Sequence, residues 1–215
     1  MLGWALLALG SGLLLGGLFG AATGTIVLWT CMVAAVLLAF RRGIPHRLLQ
    51  LRAVDVLYGV VLGGMLRIVQ GWLAVGFGGS GALPSYPSLN GGLPPLWWLE
   101  DLLGAVLVAP VIEEFFFRGL LLIVVFTLIS RLAGGDGAGI VLGGSVAVIV
   151  SAALFTITHQ LAAPTTAESI VSLALVGAAC GILVVCTGRI WPAVLVHVVY
   201  NGSGVLLTVA GTLLG

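Results

Sequence analysis

Stretches of about 20 apolar residues recur along this 215-residue chain, and each is long enough to cross the hydrocarbon core of a bilayer. A backbone in that environment must bond to itself, which a helix does within a single segment. Composition agrees. Hydrophobic residues make up 60% of the chain and charged ones 7%, against about 45–50% and about 25% in soluble proteins. Eight arginines and seven acidic residues are too few to solvate a globule of this size, and disorder demands the opposite composition. The expected fold is an all-α polytopic membrane protein with about seven transmembrane helices.

The apolar runs fall at Leu2–Ala21, Gly24–Phe40, Val54–Val75, Trp97–Arg131, Ile140–Gln160, Ala167–Cys186 and from Pro192 to Leu214. The first lacks the basic leader of a signal peptide and reads as a retained span. Arg41–Asp55 is the one basic stretch. Its Leu48, Leu49 and Leu51 alternate with Arg47, Gln50 and Arg52, which predicts a short helix lying on the membrane surface. Gly76–Pro95 is uncharged and rich in Gly, Pro and Ser, which predicts an exposed loop closed by Trp97 and Trp98 at the interface. The run Trp97–Arg131 exceeds any bilayer, so Pro110 is expected to kink or break it. After Pro164, Thr165 or Thr166 is a candidate N-cap, and Pro192 suits the first turn of the last helix. Cys31, Cys180 and Cys186 sit inside apolar runs and read as small buried hydrophobes.

The arginines orient the chain. With Arg41–Arg52 inside, Arg131 and Arg189 fall on the same side and no arginine is left outside, as the positive-inside rule requires. The N-terminus is then cytoplasmic and the C-terminus external, in a multi-pass protein of the cell (plasma) membrane. No basic stripe is present to hold nucleic acid, so the expected partners are the lipid bilayer and a membrane-associated peptide or protein.

An ionisable side chain at mid-bilayer costs roughly 2.5–3.5 kcal/mol on insertion, so each one needs a reason. In PVIEEFFFRGL, Glu114 and Arg118 are four apart, share a helix face and are expected to pair. Glu113 lies about 100° round the helix and has no neighbour on its own helix to neutralise it. An unpaired buried carboxylate is the raw material of a general base or acid. In SAALFTITHQ, Phe155 and His159 lie one turn apart. In GRIWPAVLVHVVYN, His197 and Asn201 do the same, a pair that can ligate a metal or donate two hydrogen bonds to an oxyanion. Taken singly, each set is also explained as glue between helices. Together, a free carboxylate, two imidazoles and an amide on three spans are what a water-activating hydrolase requires.

Glu113-Glu114-x-x-x-Arg118, then Phe155-x-x-x-His159, then His197-x-x-x-Asn201, on successive hydrophobic helices, resemble the motifs of the CPBP family. That family comprises the CAAX-protease and bacteriocin-processing (Abi) intramembrane proteases, type II CAAX prenyl endopeptidases among them. Phe117 and Gly119 around the arginine, and Thr187-Gly188 and Trp191-Pro192 before the third motif, agree with it. The resemblance covers residues 96–215 and implies a C-terminal four-helix catalytic core. Residues 1–95, with the first helices and the two loops, carry none of it.

The resemblance implies an intramembrane endopeptidase in which Glu113 and His159 activate water while His197 and Asn201 stabilise the oxyanion. Glu114 and Arg118 complete the catalytic set, and Phe155 falls beside the substrate. A divalent metal such as zinc on Glu113, His159 and His197, and a metal-free mechanism with Glu113 as general base, both fit the motifs. A prenylated C-terminus, a bacteriocin leader and a signalling membrane protein are all open as substrates. No HExxH is present, Gly202-Ser203-Gly204 has no later histidine, and no second intramembrane aspartate exists for an aspartyl dyad. The reading from another class is a small transporter or non-catalytic scaffold that uses the buried charges structurally.

Two features sit awkwardly. A simple serpentine puts His159 and His197 near opposite faces, ~10–15 Å apart in depth. For them to meet, the helices must tilt or Thr187–Pro192 must dip into a water-filled or protein-buried cavity. Arg67, outside the motifs, should lie ~18 Å along its helix from Asp55, near the midplane. It is either a partner for a carboxylate such as Glu114 or an anchor for a substrate's C-terminal carboxylate.

Overall fold

The computed structural model describes residues 2–18, 21–87, 92–162 and 165–215. Its helices are α1 (Leu2–Leu18), α2 (Ala21–Phe40), α3 (Ala53–Gly76), α4 (Trp98–Leu132), α5 (Gly137–Ala162), α6 (Ala167–Thr187) and α7 (Trp191–Leu214). Six are long and apolar enough to cross a membrane, and α1 is a shorter apolar helix. The protein is therefore all-α and polytopic. Pro164 and part of the expected 76–95 loop lie outside the described residues. Thr166 does occupy the N-cap of α6, although its hydroxyl meets the Glu168 and Ser169 side chains instead of a backbone N–H.

Pro110 does not break α4. The helix widens to π register over Trp98–Val108, returns to α over Ala109–Glu114, and widens again over Phe115–Leu122. A proline ring inside an α-helix collides with the carbonyl four residues back and removes one rung of the ladder. Widening the turn just ahead of Pro110 accommodates the ring while the helix continues through it. In the π register the natural donor to the Ala105 carbonyl is the residue five further on, which is Pro110 and has no N–H. Asn201 of α7 fills that place, its Nδ2 donating to the Ala105 carbonyl at 2.8 Å.

The surface helix expected at Arg41–Asp55 is not formed. Residues 43–52 make turns and extended backbone, with Arg47 at φ +74. The reason lies in what that backbone bonds to. The Leu48 carbonyl accepts from the Ile190 N–H at 2.9 Å and the Leu49 carbonyl from the Trp191 indole at 2.9 Å, while the Leu48 side chain is buried. A helix would spend those carbonyls on itself. Beside them Arg189 donates to Asp55, from Nε at 3.2 Å and from Nη2 at 2.5 Å, and both side chains are buried. This hydrogen bond and the Asp55 charge raise the Arg189 guanidinium above its ordinary value. The loop between α2 and α3 thus latches the turn that starts α7.

Arg189→Gln should leave the Asp55 carboxylate buried without its cation. Breaking a fully buried pair costs ~3–5 kcal/mol. At a helix end a modest shift re-exposes the stranded group, so about 2 kcal/mol is the expected loss. Thermal unfolding in detergent measures it, and a Tm equal to wild type would show that the latch carries no stability.

A second anchor for α7 is a seam of small residues. A Cβ on Gly59 would lie 2.7 Å from the Leu195 Cβ, and one on Gly63 would lie 2.8 Å from both the Val196 carbonyl oxygen and the Val199 Cβ. Only glycine allows α3 and α7 to approach so closely, as in small-xxx-small helix pairs in membranes.

At the other end of the molecule the loop after α3 is held by Tyr86. Its N–H donates to Thr212 Oγ1 at 2.8 Å and its hydroxyl to Asp101 Oδ2 at 2.6 Å. Burial, then the Asp101 carboxylate, push the Tyr86 phenol up to about 12, against an ordinary value near 10. A phenol raised on folding stabilises the fold below pH ~10 and loses that contribution as pH rises towards 12. Ultraviolet titration of wild type against Tyr86→Phe should show this tyrosine ionising about two pH units late, and ionisation near 10 would refute the contact.

Candidate active site

Glu113 and Glu114 occupy the short α-register segment between the two widened turns of α4, and both are buried. Glu114 pairs with Arg118 on its own helix, Oε1 to Nη1 2.9 Å, with both side chains inaccessible. The guanidinium goes on to donate from Nη2 to the Gly177 carbonyl of α6 at 3.0 Å. A Cβ on Gly177 would lie 3.3 Å from that nitrogen and 3.1 Å from Ala152, so glycine is what lets the arginine in. The same Glu114 oxygen meets His197 Nδ1 at 2.9 Å. The pair expected from the i,i+4 spacing is therefore present, and it is extended into a triad that fixes the His197 ring.

Glu113 faces elsewhere. Its Oε2 is 3.8 Å from His159 Nε2 and 3.9 Å from His197 Nε2, and it is buried with no hydrogen-bond partner among the described residues. Three separate helices thus direct one carboxylate oxygen and two ring nitrogens at a single small volume. The ring identities follow from their other bonds. His159 Nδ1 lies 2.9 Å from the Phe155 carbonyl, which only accepts, so Nδ1 carries the proton and neutral Nε2 is an acceptor.

That bond also narrows the separation expected between the two histidines. Helical side chains lean towards the N-terminus of their own helix. The His159 ring leans back one turn onto Phe155, whose ring is level with His197, at 5.5 Å between centroids. Thr187–Pro192 is a tight turn through Gly188 at φ +68, bonded to the Leu48–Leu49 backbone.

Phe155 is fully buried. His159 stacks on it at 4.4 Å, Phe117 meets it at 5.4 Å, and the Arg118 guanidinium carbon lies 4.7 Å above its ring. It forms a wedge beneath both histidines, with no face left for a substrate. Asn201 is held by the Ala105 carbonyl through one amide hydrogen, and the second has no partner among the described residues.

Arg67 is not beside Glu114. It donates from Nε to the Tyr200 carbonyl at 3.2 Å and to Ser203 Oγ at 3.3 Å, also bonds Gln70, and lies 4.0 Å over the Tyr200 ring. Gly204 makes room for it, since a Cβ there would meet the guanidinium at 2.5 Å. The expected carboxylate partner is replaced by a helix carbonyl of α7, because the approach of α3 at the glycine seam brings Tyr200 within reach. Tyr200 in turn bonds Ser172 at 2.8 Å. Its place next to Asn201 was the available signal for this role, as Gly59-x-x-x-Gly63 was for the seam.

Zinc accepts two imidazoles and a carboxylate. Ligands about a tetrahedral zinc stand roughly 3.3–3.4 Å apart, from bonds of ~2.0–2.1 Å. The separations of 3.8 and 3.9 Å are wider, and among the described residues no group of three His, Cys, Asp or Glu is arranged to hold a metal ion. This spacing also leaves room for a water between the three groups.

Residues 95–203 match the family model described as type II CAAX prenyl endopeptidase, Rce1-like. No curated protein and no solved structure matches the chain.

Proposed function

We propose, since the chain belongs to the Rce1-like family of type II CAAX prenyl endopeptidases, that it hydrolyses a peptide bond of a membrane-associated peptide or protein by a glutamate-activated water. The observation that carries this reading is the buried Glu113 Oε2, without a partner among the described residues and equidistant from two imidazole nitrogens.

A water between these groups gives one proton to Glu113 and directs the other at His159 Nε2. Its oxygen attacks the scissile carbonyl carbon. The tetrahedral oxyanion is met by the second Asn201 N–H and by His197 as imidazolium, Nδ1 held on Glu114. With Glu113 protonated, the charges of His197 and Arg118 balance Glu114 and the oxyanion, so the buried cluster carries no net charge. Glu113 then passes its proton to the leaving nitrogen as the C–N bond breaks. Glu114, Arg118 and Phe155 act as positioning residues. Of the three converging side chains His159 is the most open, at 30% exposure, so the substrate approaches from its side. Cytoplasmic placement of the Arg41–Arg52 loop follows the positive-inside rule.

The test is cleavage, by the purified protein in detergent, of peptides bearing a prenylated C-terminus, run in ¹⁸O-water with and without chelator. One ¹⁸O in the new carboxylate, at a rate the chelator leaves alone, is the expected result. Loss of cleavage on chelation, restored by zinc, would overturn the metal-free step. Wild-type cleavage no different from Glu113→Gln would overturn the whole mechanism.

A further inference from the structure

Away from the site, the hairpin of α1 and α2, with Leu120 of α4, lines a half-open groove of about 670 Å³, within the ~300–1,000 Å³ range of small-molecule sites. Its walls are apolar, with Trp4, Ala8, Ala35 and Ala39 among them, and Arg41 and Arg42 stand at one end. The antiparallel hairpin brings the start of α1 and the end of α2 together, so this end is where the helices leave the membrane. Both arginines are exposed. None of the seven acidic residues pairs with either, and neither guanidinium has a hydrogen bond among the described residues.

A long apolar slot capped by two adjacent unpaired guanidinium groups matches one kind of guest. We propose that this groove is a binding site for an anionic phospholipid, with an acyl chain between α1 and α2 and the phosphate on Arg41 and Arg42. Guanidinium forks bind phosphate oxygens bidentately, and basic pockets between transmembrane helices on the cytoplasmic side hold anionic headgroups. A zwitterionic lipid brings the same chain without the net charge. The apolar wall and the charged cap therefore make separable contributions, and this proposal does not depend on the protease reading.

The experiment is native mass spectrometry of the full chain in detergent, titrated with phosphatidylglycerol or phosphatidylcholine of identical chains. One phosphatidylglycerol should be retained, with a preference over phosphatidylcholine of up to about 30-fold, from roughly 1 kcal/mol per arginine. Arg41→Gln with Arg42→Gln should erase the preference. Ala8→Phe, which fills the slot and keeps the charge, should lose the lipid altogether. Arg47→Gln with Arg131→Gln removes the same charge elsewhere and should change nothing. Equal retention of the two lipids would overturn the proposal, as would an equal loss in the Arg47/Arg131 variant, which would mean diffuse attraction only. Arg41 and Arg42 are exposed and their replacement leaves the core intact, so that arm reports even if Ala8→Phe fails to fold.

Discussion

Glu113→Gln should leave the protein folded and lower the cleavage rate by about 10²–10⁴-fold, the range a positioned general base supplies. The amide matches the carboxylate in size and removes one charge from a place where Oε2 has no hydrogen-bond partner among the described residues. Nothing is stranded by the change, so stability should hold or rise slightly. The steady-state signature is a fall in kcat with KM nearly constant, because the water is activated only in the transition state. An unchanged kcat would remove Glu113 from the chemistry.

Arg118→Met has the opposite profile. Glu114 would remain inaccessible to solvent with its cation gone, and removing one partner of a buried pair costs ~3–5 kcal/mol. For a chain of this length that is a fall in Tm on the order of 10 °C. The Gly177 carbonyl would lose its donor too. The companion variant, Glu114→Gln with Arg118→Met, should recover much of the stability because no charge is left uncompensated. Activity should stay low in both: without Arg118 the Glu114 carboxylate loses the contact that positions it, and in the double variant His197 Nδ1 loses that carboxylate altogether. Recovery of full activity in the double variant would show that the triad does not hold the ring.

The spacing of motifs was a good guide to local faces and a poor one to depth. Glu114 to Arg118 is a one-turn relation, and one-turn relations survive almost any packing. The place where His159 and His197 meet depends on how the helices tilt and how far a ring leans along its helix, which hydropathy does not encode. Arg41–Asp55 misled for a related reason: alternation of leucine and arginine resembles a surface helix, yet its carbonyls are claimed by Ile190 and Trp191. Pro110 was legible as a disturbance but not as a remedy. The orphaned Ala105 carbonyl is visible only once Asn201 is seen to reach it. Arg67 bonds a backbone oxygen instead of the expected carboxylate, and no sequence pattern announces a carbonyl.

The glycine seam between α3 and α7 bears on how small a working version of this molecule can be. All three motifs lie beyond residue 95, and a fragment beginning there would keep every one. It would also lose the surface against which Leu195, Val196 and Val199 are shaped, the arginine that caps the Tyr200 carbonyl, and the aspartate that ties down the first turn of α7. The helix carrying His197 and Asn201 would then be free to roll about its axis. A roll of 20° moves a side-chain tip by about 2 Å, more than the ~0.5 Å that a catalytic constellation tolerates. The half of the chain that bears the three motifs is held in shape by the half that lacks them.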